Sequence, residues 1–385
     1  MSFRIKKVKK LTSRILLIID GLPGGGAEKV VLTLARGFIA CGHQVSLFSL
    51  RSVCDYTLPP GIDYQVVLDR CKKPWRKLTE LNRRARLLDA AVHQAEQSAG
   101  KFDLIISHLH KTDRIVSRCK NLDPQRTWYC IHGVFSASYL SRRTGLSRWL
   151  KILKTRRTYQ QRNIVGVSRY VLEDLKKAYN IQPSREIVIH NPFDIAHIRQ
   201  MAQEPVEMAD RSYLLHIGRF HQTKRHDRLL QAYAQSDLTL PLVLIGQGNP
   251  EKIKELEVLA ESLHIRERVI FKGFTHNPYA WIKHAAMLVA SSDSEGFGNV
   301  LVEALICQTP VVSTRCPGGP EEILQGDLAR CLSELDPSAL AARLVEIYHH
   351  PPDLENIDLS SYDVHTICQR YLSLIDTTHE TVKME

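Results

Sequence analysis

The sequence predicts an α/β chain of two doubly wound bodies, on three observations. Short β-rich apolar runs alternate with longer amphipathic stretches from end to end, as parallel sheets with helical crossovers require. The alternation breaks off once, between Asn191 and Arg211, and then restarts. The chain has 385 residues, roughly two to three times the ~100–150 of one domain.

Each element follows from its pattern. In the first half, strands are expected at Arg14–Asp20, Gln44–Leu50, Asp103–Ser107, Thr127–Ile131, Asn163–Val167 and Ile187–His190. Helices are expected at Ala27–Cys41, Arg76–Ser98, Arg148–Gln161 and Arg169–Tyr179. The first of these carries Val30, Val31, Leu34 and Phe38 on one face, so its start looks at whatever lies above the sheet. The stretch 191–211 holds Pro192, Pro205 and several acids with no strand pattern, and reads as a linker. Beyond it, strands at Tyr213–Ile217, Pro241–Ile245, Arg268–Phe271, Met287–Ser291 and Pro310–Ser313 alternate with helices at His226–Ala234, Pro250–Leu263, Asn299–Cys307 and Pro320–Leu324. Helical stretches at Pro337–His349 and Ser360–Ile375 close the chain.

Composition excludes several classes. With 44% hydrophobic and 24% charged residues, and 20 Gly and 17 Pro without period, collagen-like, low-complexity and wholly disordered readings fall away. No apolar run approaches the ~20 residues of a membrane-spanning helix; Ile15–Ile19 ends at Asp20. The basic start (Arg4, Lys6, Lys7, Lys9, Lys10) imitates a signal peptide, but the apolar part is shorter than the ~7–15 residues needed and reads as a tail leading into a strand. Nine scattered cysteines without a Cys-x-x-Cys pair suggest neither a disulfide framework nor a zinc knuckle, and the reducing cytosol is the expected compartment.

Charge separates the halves. Residues 1–200 hold 36 Lys/Arg against 15 Asp/Glu, and residues 201–385 hold 16 against 26, giving +21 and −10. The basic residues cluster at Lys6–Lys10, Lys72/Lys73/Arg76/Lys77, Arg83/Arg84/Arg86, and Arg142/Arg143 through Arg148, Lys151, Lys154, Arg156 and Arg157. An anionic surface facing the first half is expected, nucleic acid or acidic membrane. Tyr139, Leu140, Leu146, Trp149, Leu150 and Ile152 beside the last cluster suit a headgroup layer better than base stacking, and no RNP-type, zinc-finger or KH signature accompanies them.

Three motifs can carry chemistry. Gly21-Leu22-Pro23-Gly24-Gly25-Gly26-Ala27-Glu28 joins a strand to a helix, and its glycines let backbone N–H groups converge on an anion such as a diphosphate. It is neither the G-x-G-x-x-G fingerprint nor a Walker loop. Gly218-Arg219-Phe220-His221-Gln222-Thr223-Lys224 places a forked and a point-like cation at a strand's carboxyl end, where they suit a phosphate pair. In Ser291 to Leu305, a loop shaped by Gly296 and Gly298 opens a helix near Asn299, with Glu295 in the loop and Glu303 one turn inside the helix. Carboxylates there suit a hydroxyl-rich ligand such as a hexose or ribose.

Glu295 and Glu303, with Gly-Phe-Gly-Asn behind the first, resemble the Glu-x7-Glu motif of the retaining, nucleotide-sugar-dependent glycosyltransferases of family four. The resemblance extends through Gly24–Gly26, His132-Gly133, Val167-Ser168, Asn191-Pro192, Gly218-Arg219 with Lys224, Gly246-Gln247-Gly248, Lys272-Gly273 and Gly318-Gly319-Pro320-Glu321-Glu322, most of the chain in order. It implies the GT-B architecture: two Rossmann-like domains whose parallel sheets face across a cleft. Residues 1–190 would form the acceptor-side domain, 191–211 the linker and hinge, 212–358 the nucleotide-sugar domain, and 359–385 a helix crossing back to the first domain.

The resemblance also implies roles. Arg219 and Lys224 would hold the donor diphosphate and stabilise the leaving nucleoside diphosphate, Glu295 would bind the donor sugar, and His132 would lie near the reacting sugar. Donor contacts would come from Gly24, Gly25, Gly26, Gly218, Gly296, Phe297, Gly298, Asn299 and Val300, from Glu303 to the ribose, and from Lys272 and Gly273 to the base. No metal and no cofactor is expected, the nucleotide sugar being a substrate; Asp293-x-Glu295 imitates a metal-binding Asp-x-Asp only out of context. The expected reaction moves a hexosyl group from a nucleotide sugar, a UDP-sugar first, onto an anionic glycolipid such as lipopolysaccharide core or a lipid-linked saccharide, with retention. The protein would sit peripherally on the cytoplasmic face of the inner membrane, without nucleic acid. Two other readings stay open: a GT-B enzyme on a soluble acceptor or a sugar-nucleotide epimerase, and a non-catalytic basic protein that binds nucleic acid or scaffolds.

Overall fold

The structure, a computed structural model, describes residues 12–72, 76–208 and 212–380. The expected basic tail with Arg4 and Lys6–Lys10, together with Lys73 and Arg211, lies outside the described residues.

The first half runs β1 (Arg14–Ile19), α1 (Gly26–Ala40), β2 (Gln44–Ser49), β3 (Asp63–Val66), α2 (Arg76–Ala99), β4 (Leu104–His108), α3 (His110–Val116), β5 (Thr127–Ile131), α4 (Phe135–Tyr139), α5 (Gly145–Tyr159), β6 (Asn163–Gly166), α6 (Arg169–Tyr179) and β7 (Arg185–Val188). The second runs α7 (Ile195–Met201), β8 (Leu214–Ile217), α8 (His226–Gln235), β9 (Leu242–Ile245), α9 (Pro250–Ser262), β10 (Val269–Gly273), α10 (Pro278–His284), β11 (Met287–Ala290), α11 (Asn299–Ile306), β12 (Val311–Thr314), α12 (Pro320–Ile323), β13 (Leu332–Ser333), α13 (Pro337–His349) and α14 (Val364–Glu380). Two parallel sheets result, β3-β2-β1-β4-β5-β6-β7 and β10-β9-β8-β11-β12-β13. Strands such as Ile15–Ile19 are apolar throughout because helices cover both sheet faces. Each sheet reverses its winding once, at β1/β4 and at β8/β11, and ligands of doubly wound sheets bind outside the carboxyl ends at such a point.

Helix boundaries follow local chemistry. Ser168 caps α6 by accepting the Val171 amide at 3.2 Å, and Asn180 ends it in the left-handed region. Asn249 and Asp336 cap α9 and α13, each followed by a proline at the first helical position.

The differences from the expected elements are informative. β3, a half-exposed edge strand of four residues, and β13, of two, are too short to show a period. α3, α4 and α10 fill connections for which no element was expected, and α5 begins three residues early at Gly145. The last strand of the first sheet starts two residues before the expected Ile187 and ends at Val188, because His190 leaves the sheet for Glu322 and Phe297. The stretch read as a linker contains α7, which Asp194 caps and Asn277 ties to the second half through the Met201 carbonyl at 2.8 Å.

The chain crosses between the halves twice, side by side. The Phe193 amide donates to Tyr362 O and the Val364 amide to Phe193 O, both at 2.9 Å. From that crossing α14 lies back on α1, where Tyr371 meets Phe38 edge-on at 6.3 Å and its hydroxyl reaches Cys130 Sγ at 3.5 Å.

Candidate functional site

Five loops converge from strand ends: those after β1, β4 and β5 in the first half, and those after β8 and β11 in the second. The last two interlock. The Lys224 ammonium lies 2.6 Å from Glu295 Oε1, and the Ser292 hydroxyl donates to the same oxygen at 2.5 Å. Burial alone would raise the Glu295 carboxyl; the Lys224 charge and these hydrogen bonds outweigh it and hold the group below the usual carboxylate range. Glu295 is therefore an oriented, ionised acceptor. Asp293 is committed elsewhere, to Arg225 at 3.1 Å and to the buried Arg228 at 2.7 Å. Gly318 adopts φ +132, and a Cβ there would overlap the Glu295 carbonyl, so the Gly318-Gly319 pair fixes where that loop runs.

The loop after β11 also touches the first half. A Cβ on Gly296 would overlap the His132 carbonyl, so only glycine permits this approach. The Ser168 hydroxyl donates to Gly296 O at 2.8 Å, and the Asn191 amide donates to Asn299 Oδ1 at 2.7 Å. Glu322 accepts the Arg169 and Tyr170 amides at 3.0 and 3.1 Å, capping α6 from the other half. Lys29 crosses the seam to Glu303 at 2.7 Å and stands over the Tyr279 ring at 4.5 Å. Burial opposes its charge, but Glu303 and Tyr279 prevail and its pKa is raised.

His132 is held from behind. Its Nε2 lies 2.9 Å from Nδ1 of the buried His108, whose own Nε2 has no partner. An orphaned buried N–H is costlier than an orphaned lone pair. The His108 proton therefore belongs on Nδ1, where it donates to His132, and the His132 proton belongs on Nδ1. Burial lowers the His132 pKa to about 4, so the ring is neutral near pH 7 and offers an N–H. Among the described residues, His108, Cys130 and His132 form the single group of three potential metal ligands, their atoms all within 4.8 Å. Burial raises the Cys130 thiol to about 12, so without a metal it is protonated near pH 7.

Other expected site residues are placed differently. Arg219 is exposed beside Lys224's loop. Gly218 lines the Lys224 stem, which passes 3.4 Å from where its Cβ would be, and Val300 opens α11 beside Asn299. Gly24 turns with φ +84, and the Gly25 carbonyl accepts from Tyr56 OH at 3.0 Å. The Glu28 carboxylate folds against Gly25, so this loop already carries an anion of its own and suits a diphosphate less well than Arg219 and Lys224 do. The Phe297 ring stacks on His190 at 5.2 Å and packs on Phe193 in the crossing, so only its backbone faces the loop's interior. Lys272 pairs with Glu207 and lies over Trp281 at 5.4 Å, while Gly273, at φ +80, ends β10. Sequence reasoning missed Lys29, Tyr279 and His108. Lys29 was within reach, one turn into the helix behind the glycine loop, and His108 ends a strand level with Cys130.

Comparison with known proteins agrees with this architecture. A family model described as Glycosyltransferase Family 4 matches residues 24–197, and one described as Glycosyl transferases group 1 matches residues 197–362. The chain is 26% identical over 321 residues to the N-acetylgalactosamine-N,N'-diacetylbacillosaminyl-diphospho-undecaprenol 4-alpha-N-acetylgalactosaminyltransferase of Campylobacter jejuni, covering 83% of this chain and 86% of that one. Among solved structures, Anabaena HepE in complex with UDP and glucose superposes with a TM-score of 0.67 at 18% identity, over 97% of this chain and 100% of that one. WaaG, a glycosyltransferase involved in lipopolysaccharide biosynthesis, gives 0.65 at 18% identity, over 96% and 100%. The chain belongs to the family-four glycosyltransferases and has the GT-B fold.

Proposed function

We propose that this glycosyltransferase moves a hexosyl group from a nucleotide sugar, a UDP-sugar first, to an anionic glycolipid, with retention at the anomeric carbon. The observation that carries the reading is the clasp of Lys224, Ser292 and Glu295, set against the His132 backbone across the seam. In this reading Glu295 accepts from hydroxyls of the donor sugar, and Arg219 and Lys224 take up charge as the sugar–phosphate bond breaks. Retaining glycosidases use two carboxylates ~5–5.5 Å apart, one a nucleophile. Here Glu295 is already held by a lysine, and Glu303, the proposed ribose ligand, by Lys29 across the seam. The reading is therefore front-face displacement: the acceptor oxygen attacks the face the leaving phosphate vacates, and that phosphate takes the acceptor's proton. Neutral His132 donates a hydrogen bond from Nδ1 to a sugar hydroxyl.

Two observations support a lipid-borne acceptor. The Campylobacter relative is named for a diphospho-undecaprenol substrate. In α5, Leu146, Trp149, Leu150 and Leu153 form an exposed stripe at helical spacing, between 41% and 70% exposed, flanked by Arg148, Lys151, Lys154, Arg156 and Arg157. Of the residues expected there, Leu140 is instead buried, Tyr139 is drawn in against His110 and Phe135, and Ile152 is half-buried. No helix among the described residues is long and apolar enough to cross a membrane, and the reading is peripheral attachment to the cytoplasmic leaflet. Proton NMR of the product tests the mechanism: an anomeric configuration matching the donor's supports it, and inversion overturns it.

A further inference from the structure

We propose that the first half carries its own phosphate-type anion site, separate from the one at Arg219 and Lys224. A cavity of about 560 Å³ opens at the carboxyl ends of β1, β2 and β4, beside the glycine loop. Arg51, Lys77, Arg83, Arg84 and Lys111 line it, against Asp69 and Glu80. Its organising residue is Asp20, which follows β1 at the switch point and is buried. One carboxylate there holds three cations: Arg51 at 2.7 Å, Arg84 at 3.0 Å and Lys111 at 3.3 Å.

These cations differ in what they have left to give. Arg84 is buried and spent, its fork divided among Asp20, Glu80 and the Leu50 carbonyl. Arg83 grips Asp69 through two nitrogens. Arg51 and Lys111 share one carboxylate oxygen and leave about half of each side chain exposed, and Lys77 is exposed too. Five positive groups thus meet three negative ones, an excess of two in a concave site where the field is concentrated. A dianionic phosphate or diphosphate matches that excess. Arg51 supplies a fork, Lys111 and Lys77 supply point charges, and the Asp20 clasp prepositions the first two. Asp69 and Glu80 on the walls oppose an extended polyanion and admit one compact group. The identity of the occupant rests on the proposed function, in which the acceptor brings a phosphate; the existence of the site does not.

Calorimetric titration with inorganic pyrophosphate tests it on the full chain. Two sites are expected in the wild type. Arg51→Gln with Lys111→Gln should weaken one of them about tenfold or more and leave the other, and Arg219→Gln should do the reverse. Lys77→Gln, on an exposed side chain, should weaken the first site without touching the fold. Farnesyl diphosphate then separates the sources. Tighter binding than pyrophosphate, lost in the double variant, marks a lipid-linked diphosphate; equal binding marks a soluble phosphate, and both support an anion site. A wild type that takes up pyrophosphate only at the site Arg219→Gln removes, or none at millimolar concentration, overturns the proposal. Failure of glycosyl transfer with pocket binding intact would count against the proposed function alone.

Discussion

Beneath strand orders that agree over six places, the two sheets present oppositely built carboxyl ends. In the second half a lysine is clasped by a largely buried glutamate, with one exposed arginine beside it, on a body that is acidic overall. In the first half a buried aspartate is surrounded by three cations on a body that is strongly basic. A doubly wound sheet supplies a place and a dipole; the charge balance around one residue at the switch point decides what the place will hold. In the proposed reading the halves are complementary in task, one gripping a leaving diphosphate and one receiving an anionic partner.

The largest effect should come from breaking the second half's contribution. Arg219→Ala, at an exposed side chain, should lower turnover by about 10²–10³-fold in single-turnover assays with the fold unchanged. Near-normal turnover would remove Arg219 from the phosphate site. Lys224→Ala should cost at least as much and also destabilise the chain, because it leaves the largely buried Glu295 carboxylate without its cation.

The exposed apolar stripe of α5 separates the halves next. Trp149→Ala with Leu150→Ala should weaken binding to anionic vesicles about tenfold or more, since each side chain contributes roughly 1.5–3 kcal/mol when fully buried. Binding by the wild type should also fall steeply with salt. Equal retention on neutral vesicles would count against anionic headgroups as the partner.

A smaller effect tests the ring pair. His108→Phe should lower kcat about tenfold, leave donor KM nearly unchanged, and free His132 to take either tautomer. A loss of folding without a change in kcat per folded molecule would make His108 merely structural.

How much of this was legible follows from the kind of signal involved. Parallel strands such as Ile15–Ile19 and the helix behind the glycine loop were readable because burial on both faces leaves an unbroken apolar run and one-face spacing leaves a period. Glu295 was readable from the glycines around it, whose necessity the Gly296 and Gly318 contacts explain. The Asp20 clasp was not, because it joins residues just past β1 and β2 to one inside α2 and one in the first turn of α3, positions brought together only by the tertiary fold. The His108–His132 pair and the Lys29–Glu303 crossing were hidden for the same reason: neither follows from local spacing. Exposure around α5 was half legible: Leu146, Trp149 and Leu150 lie on an exposed stripe, which Leu153 extends, whereas Leu140, ahead of the helix, is buried.

Proton linkage offers a weaker contrast between the halves. Burial lowers the pKa of His110 to about 3, of His132 and His216 to about 4, and of His226 to about 2. The unfolded chain binds these protons first, so stability should fall as pH drops below about 6.5. Asp113 acts with the opposite sign and only in the first half. Burial pushes its pKa up to about 8, against hydrogen bonds from Ser107 and Tyr159. Its contribution is full below the unfolded value of about 3.9 and is lost as pH rises through 8. Urea unfolding at stepped pH should show Asp113→Asn flattening the decline from pH 6.5 to 8; an unchanged slope would contradict the buried, protonated assignment. Across the seam, Lys29→Met breaks its coupling to Glu303 and should destabilise the chain, because it leaves that buried carboxylate without its cation. A double-mutant cycle with Glu303→Gln reads that coupling, and zero coupling would mean the crossing carries no energy.

The division of labour between the halves is tested most directly by release of free nucleoside diphosphate from a panel of UDP-, GDP- and ADP-sugars, with and without an anionic glycolipid extract, using Glu295→Ala as control. Acceptor-dependent release from one donor, abolished by Glu295→Ala and sharply reduced by Arg51→Gln with Lys111→Gln, is the result expected. Release that is indifferent to the acceptor or to Glu295, or silence across the panel from folded protein, would contradict it.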